Sequence, residues 1–121
     1  MRTKATVLAR YADARREGAR AEAITLAWVL GTRSPLQRRK QPTMRPDAEI
    51  RLRLRETQEW AADAMDTLRT ARARFRPSYV TAETWGDIDA RNEAYVARCA
   101  QEVATYEWVL GKRSDKTAAR R

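Results

Sequence analysis

The side chains that are able to do chemistry in this sequence are mostly cationic. Of its 121 residues, 25 are lysine or arginine and 16 are aspartate or glutamate, which gives a net charge of +9. The sequence has no histidine, and Cys99 is its only cysteine. General bases are most often histidines, and zinc sites are built largely from histidine and cysteine. We therefore predict a protein that is not an enzyme and has no catalytic residue, metal site or cofactor.

Two runs of the sequence concentrate the positive charge. Residues 33–45 contain five basic residues and no acidic one, and residues 112–121 contain five basic residues and one acidic one. Arginine binds phosphate oxygens in a bidentate manner, and each phosphate contact releases counterions. We therefore predict binding of a polyanion, foremost DNA or RNA, through its backbone and without sequence specificity. The residues assigned to this binding are Arg33, Arg38, Arg39, Lys40, Arg45, Lys112, Arg113 and Lys116.

The aromatic residues leave a second interpretation open. Four tryptophans, four tyrosines and one phenylalanine are many for a narrow helical core. Trp60 and Trp85 fall at or beside the apolar seams of their helices, and exposed aromatic side chains of this kind anchor partner proteins. The alternative function is therefore a protein interaction module, such as an adaptor, inhibitor or assembly component, that binds an acidic protein surface. Self-association is compatible with both interpretations.

Helical periodicity organises the whole chain. Apolar residues recur at spacings of three and four in three segments, and no segment alternates with a period of two. We predict helices over about 3–30, 47–75 and 82–110, with Asp47 capping the second and Thr81 or Thr84 capping the third. Gly18 falls inside the first helix, where its small size predicts close approach of another helix. The predicted fold is all-α: one domain forming an elongated up-down-up three-helix bundle, with a basic linker over 31–46 and a basic tail over 112–121.

An internal repeat ends the first and third of these helices. Residues Glu22–Ser34 match residues Glu102–Ser114 at eight of thirteen positions, including Trp-Val-Leu-Gly and, after one further residue, Arg-Ser. Glycine is favoured just past a helix C-terminus because it adopts a left-handed conformation without strain. In an up-down-up bundle the first and third helices run parallel. We therefore expect both endings, and the basic segments that follow them, to lie at the same end of the molecule.

The two Trp-Val-Leu-Gly endings resemble those of small Arg/Ala-rich helical proteins from actinobacteria and their phages. The resemblance covers Glu22–Ser34 and Glu102–Ser114 and implies a phage or mobile-element origin, with no activity to carry over. The N-terminal residues lack the apolar stretch of a signal peptide, and the longest apolar run is too short to span a bilayer. The expected location is the cytoplasm, without a membrane partner.

Overall fold

The computed structural model of the chain describes residues 1–31, 43–74, 76–77 and 79–111. Within these ranges the protein is all-α, as predicted, and has no strand. The predicted three-helix arrangement is wrong, because the described residues form four helices. These helices are α1 (Lys4–Glu17), α2 (Arg20–Val29), α3 (Asp47–Ala73) and α4 (Ala82–Val109).

The extra helix arises at Gly18, which ends α1 instead of lying inside a longer helix. Gly18 adopts a left-handed conformation with φ of 73°, and the next N–H, that of Ala19, donates to the Ala14 carbonyl at 2.9 Å. This six-to-one bond is typical of a Schellman ending. A Cβ added at Gly18 would meet no atom within 4 Å, so the predicted close approach of another helix is also wrong. The chain reverses here, and α2 packs against α1.

The boundaries of the two long helices agree closely with the periodicity. Pro46, not Asp47, is the N-cap of α3, and Asp47 is its first residue. At α4 the cap is Thr81, whose hydroxyl oxygen accepts the Thr84 N–H at 3.1 Å. Gly31 and Gly111 have φ of 77° and 88°, which confirms the predicted helix endings. Local sequence therefore determines where these helices begin and end.

The hydrophobic core occupies only one part of the molecule. Helix α2 packs against α1 and α4, and α3 packs against α4. Buried apolar residues come from all four helices: Val7, Tyr11, Ala14, Ala23, Leu26, Ala27, Val29, Leu30, Ile50, Leu54, Cys99, Tyr106, Val109 and Leu110. None of the described residues between Gln58 and Arg98 is buried. We call this stretch, residues 58–98, the distal hairpin.

Candidate functional site

The two Trp-Val-Leu-Gly turns lie together at one end of the core. The ring of Trp28, in the last turn of α2, contacts the ring of Tyr106, near the end of α4, edge to face with centroids 5.7 Å apart. Arg2 and Arg45, which lie just before α1 and α3, reach the same place. We call the set of residues 1–3, 28–31, 44–46 and 108–111 the tryptophan end. The sequence-based expectation that both repeat endings share one end agrees with this geometry.

Arg45 fastens the start of α3 to the end of α2. Its guanidinium carbon lies 4.4 Å from the centroid of the Trp28 ring, and its Nε donates to the Trp28 carbonyl at 2.7 Å. The Arg45 backbone N–H donates to the Val29 carbonyl at 2.9 Å. The last carbonyls of a helix have no partner inside the helix and carry partial negative charge, so a cation is favourable there. Arg45 satisfies two carbonyls and covers one indole face.

Arg2 makes the same set of contacts at the end of α4. Its guanidinium carbon lies 4.7 Å from the Trp108 ring centroid, and its Nε donates to the Trp108 carbonyl at 2.9 Å. Its backbone N–H donates to the Val109 carbonyl at 2.8 Å. Arg2 therefore joins the start of α1 to the end of α4, and Arg45 joins the start of α3 to the end of α2. The hairpin α1–α2 and the hairpin α3–α4 are thus connected by two equivalent sets of contacts.

This reciprocity reveals a second repeat that the sequence analysis missed. Met1-Arg2 and Met44-Arg45 are separated by 43 positions, and each pair precedes a helix. At the same offset, Val7 matches the buried Ile50 and Tyr11 matches the buried Leu54. Arg10 likewise matches Arg53, and their guanidinium carbons lie 5.1 Å from Trp108 and 5.7 Å from Trp28. The sequence signal for this second repeat was a Met-Arg pair with an apolar residue five positions after the arginine.

Only one of the eight residues assigned to polyanion binding lies within the described ranges. That residue, Arg45, also pairs with Glu49 at 2.7 Å, and its side chain is 33% exposed. Its guanidinium is therefore engaged by protein groups. The other seven, Arg33, Arg38, Arg39, Lys40, Lys112, Arg113 and Lys116, lie outside the described residues.

The distribution of charge separates the described residues from the rest of the chain. The described ranges hold sixteen basic and fifteen acidic residues, a net charge of +1. Residues 32–42 and 112–121 hold nine basic residues and one acidic residue, a net charge of +8. These two segments follow Gly31 and Gly111, which both belong to the tryptophan end. The two segments that contain almost all of the excess positive charge are therefore both attached to the tryptophan end.

The two tryptophans considered as partner anchors differ in their surroundings. Trp60 on α3 is 41% exposed, and the guanidinium carbon of Arg53 lies 5.0 Å from its ring centroid. Trp85 on α4 is half-buried beneath Arg76, whose guanidinium carbon lies 4.9 Å from the ring centroid. Arg76 also makes a bidentate pair with Asp89 at 2.8 and 2.9 Å, which closes the α3–α4 turn. Trp60 is therefore the more accessible of the two.

A groove runs beside Trp60 between α2, α3 and α4. It has a volume of about 410 Å³, and Trp28, Arg53 and Tyr106 line it at the end nearer the core. The hydroxyl of Tyr106 donates to Glu102 Oε1 at 2.9 Å, and burial raises the pKa of this phenol.

Comparisons with models of protein families, with curated proteins and with solved structures give no match for this chain. Among the described residues, no three or more histidine, cysteine, aspartate and glutamate side chains are grouped so as to hold a metal ion. Over the same ranges, no helix combines the length and apolar character that crossing a bilayer requires. Functional inference therefore depends on the geometry and charge of the chain itself.

Proposed function

We propose that this protein is a non-enzymatic polyanion-binding protein that contacts nucleic acid through the segments 32–42 and 112–121. The observation that carries the proposal is the charge distribution: a net charge of +8 in two short segments beside a described part of +1. Cationic segments bind nucleic acid because each neutralised phosphate releases condensed counterions. A nearly neutral fold contributes little to such binding and serves to hold the two segments.

The attachment of the two segments to the same end of the fold strengthens this proposal. Trp28 and Tyr106 are in ring contact, and Arg45 and Arg2 fasten the turns that precede Gly31 and Gly111. Once one segment binds a phosphate backbone, the other is held at a high effective concentration near the same backbone. Two weak cationic segments thereby act as one site.

The burial of α2 agrees with binding to the phosphate backbone of the nucleic acid without recognition of its base sequence. A helix-turn-helix protein inserts its second helix into the major groove. Here α1 and α2 are joined by a short turn, but α2 buries five of its ten residues: Ala23, Thr25, Leu26, Ala27 and Val29. Of its described residues, only Arg20 and Ile24 are exposed. This helix exposes few side chains with which to read bases.

The decisive experiment is a titration of duplex DNA with the full chain at several salt concentrations. About five phosphate contacts predict a log–log slope of affinity against salt of about −4 to −5. A variant with Arg38, Arg39 and Lys40 changed to glutamine should flatten that slope by about 3, and to the same extent for unrelated DNA sequences.

A matched control removes the same charge elsewhere. Arg15, Arg16 and Arg20 are exposed at the turn between α1 and α2, at the other end of α2 from the tryptophan end. Their replacement by glutamine should change the slope much less than the loss of Arg38, Arg39 and Lys40. Equal effects would mean that overall charge, not these segments, binds DNA. If DNA and RNA fail to bind while an acidic protein binds in high salt, and Trp60→Ala abolishes that complex, the alternative interaction module replaces the proposal.

A further inference from the structure

The apolar seam of α4 extends beyond the helix that covers it. At its C-terminal end, Cys99 and Tyr106 are buried beneath α2, with 3% and 1% exposure. Further toward the N-terminus of α4, Ile88 and Tyr95 continue the same heptad spacing but are 37% and 42% exposed. A seam of this kind is a helix-packing surface, and the described residues Ile88 and Tyr95 leave its outer half partly exposed.

The groove between α3 and α4 is likewise continuous past α2. The 410 Å³ groove beside α2 shares Trp60 and Tyr95 with a second groove of about 220 Å³. The other residues that line this second groove are Asp63, Ala64, Thr67 and Asn92. The proximal part receives α2 as a third helix. The outer part has the same two walls but only two helices, and it buries none of its described residues. Two helices alone enclose little core, whereas four enclose one fully.

The net charge of the distal hairpin indicates which kind of partner its surface fits. The distal hairpin contains six basic and seven acidic residues, whereas the rest of the chain carries a net charge of +10. A nearly neutral surface is suited neither to a polyanion nor to a strongly acidic protein. Two copies of the chain, by contrast, approach each other here without net repulsion.

The order of the charges further favours a second copy in antiparallel orientation. In the outer half of α3 and the turn after it, acidic residues come first (Glu59, Asp63, Asp66) and arginines follow (Arg69, Arg72, Arg74, Arg76). In α4, Glu83, Asp87 and Asp89 come first, and Arg91, Glu93 and Arg98 follow. Within one chain, Arg72 pairs with Glu93 and Arg76 pairs with Asp89. Antiparallel copies of α3 also place Glu59 and Asp63 of one copy opposite the arginines of the other, and a two-fold interface requires this self-complementarity.

We propose that the distal hairpins of two copies pack groove against groove and form an antiparallel four-helix bundle. Trp60, Ile88 and Tyr95 would become core residues of this interface. Asn92 is a polar residue of the α4 seam, and a polar residue in an apolar seam favours one register of helix pairing. This proposal is independent of nucleic-acid binding, because it uses a different surface.

The first test measures the mass of the full chain in solution by light scattering after size exclusion. We expect twice the mass of a single chain, and the mass of a single chain for the variants Trp60→Glu and Tyr95→Glu. The matched control is Leu52→Glu, which places the same charge on an exposed apolar residue of α3 outside the groove. This variant should remain dimeric. A monomeric wild-type chain, or a dimer unaffected by the groove variants, would overturn the proposal.

A second measurement avoids substitutions, in case the groove variants fail to fold. Hydrogen exchange of the wild-type chain is compared at low and high protein concentration. Amides of residues 58–98 should become protected at high concentration, while amides of α1 keep the same exchange rate. Protection that is independent of concentration, or that rises only outside the distal hairpin, would contradict the proposed interface.

Discussion

Arg45 holds Trp28 through its side chain in two ways at once: the guanidinium lies 4.4 Å from the indole centroid, and Nε donates to the Trp28 carbonyl at 2.7 Å. A charge-assisted hydrogen bond and a cation–π contact, each worth about 1–2 kcal/mol, thus join α3 to α2. Arg45, which the sequence analysis assigned to polyanion binding, therefore has a structural role: it joins two helices.

Replacing Arg45 is expected to destabilise the fold. Arg45→Ala should lower the free energy of unfolding by about 1–3 kcal/mol, because it removes the indole contact and the charge-assisted hydrogen bond to the Trp28 carbonyl. Arg45→Lys should recover only part of the loss, since lysine lacks the planar guanidinium. Urea unfolding followed by circular dichroism measures both changes. The control is Arg55→Ala, an exposed site on α3, which should change stability by less than about 0.5 kcal/mol.

The two glycines Gly18 and Gly86 should respond oppositely to alanine. Gly18 has φ of 73°, so Gly18→Ala should cost about 1–2 kcal/mol although a Cβ meets no atom there. Gly86 lies inside α4 with open space around it, so Gly86→Ala should stabilise the protein by about 0.5–1 kcal/mol. Thermal unfolding of the two variants checks the signs. A stabilised Gly18→Ala protein would show that α1 and α2 join into one helix.

The Arg76–Asp89 pair predicts a dependence of stability on acid. The hydrogen bonds from Arg76 hold the pKa of Asp89 below its ordinary value. A carboxyl whose folded pKa is lowered contributes stability above its unfolded pKa, and this contribution is lost as the pH falls through the folded pKa. Asp89→Asn should therefore reduce the drop in Tm between about pH 5 and pH 2. Asp66→Asn, which removes an exposed partner of Arg69, is the control and should leave the drop almost unchanged.

Tyr106 predicts a loss of stability at the alkaline end. Burial raises the pKa of its phenol above the ordinary value of about 10. The contribution of such a group is complete below the unfolded pKa and is lost as the pH rises through the folded pKa. Tyr106→Phe should therefore make the free energy of unfolding less dependent on pH above about pH 10. Unfolding in urea at two alkaline pH values tests this, and an unchanged dependence would contradict the buried position of the hydroxyl.

The sequence alone determined most of the helical structure of this protein. The periodicity of α3 and α4, the cap at Thr81 and the glycines after the two Trp-Val-Leu turns are local signals, and each acts within a few residues. Gly18 was different, because apolar residues continue at helical spacing on both sides of it. Glycine permits either a continued helix or a reversal, and packing of α2 against α1 and α4 decides between them.

Tertiary structure alone decided what the functional side chains do. Sequence counts Arg2 and Arg45 as charges, but their use depends on which helix end comes within reach, and Trp108 is 106 residues away from Arg2. Exposure of the groove beside Trp60 also depends on the length of α2, which has 10 residues, whereas α3 and α4 have 27 and 28. Helix formation is local, whereas burial and ion pairing depend on residues that only the fold brings together.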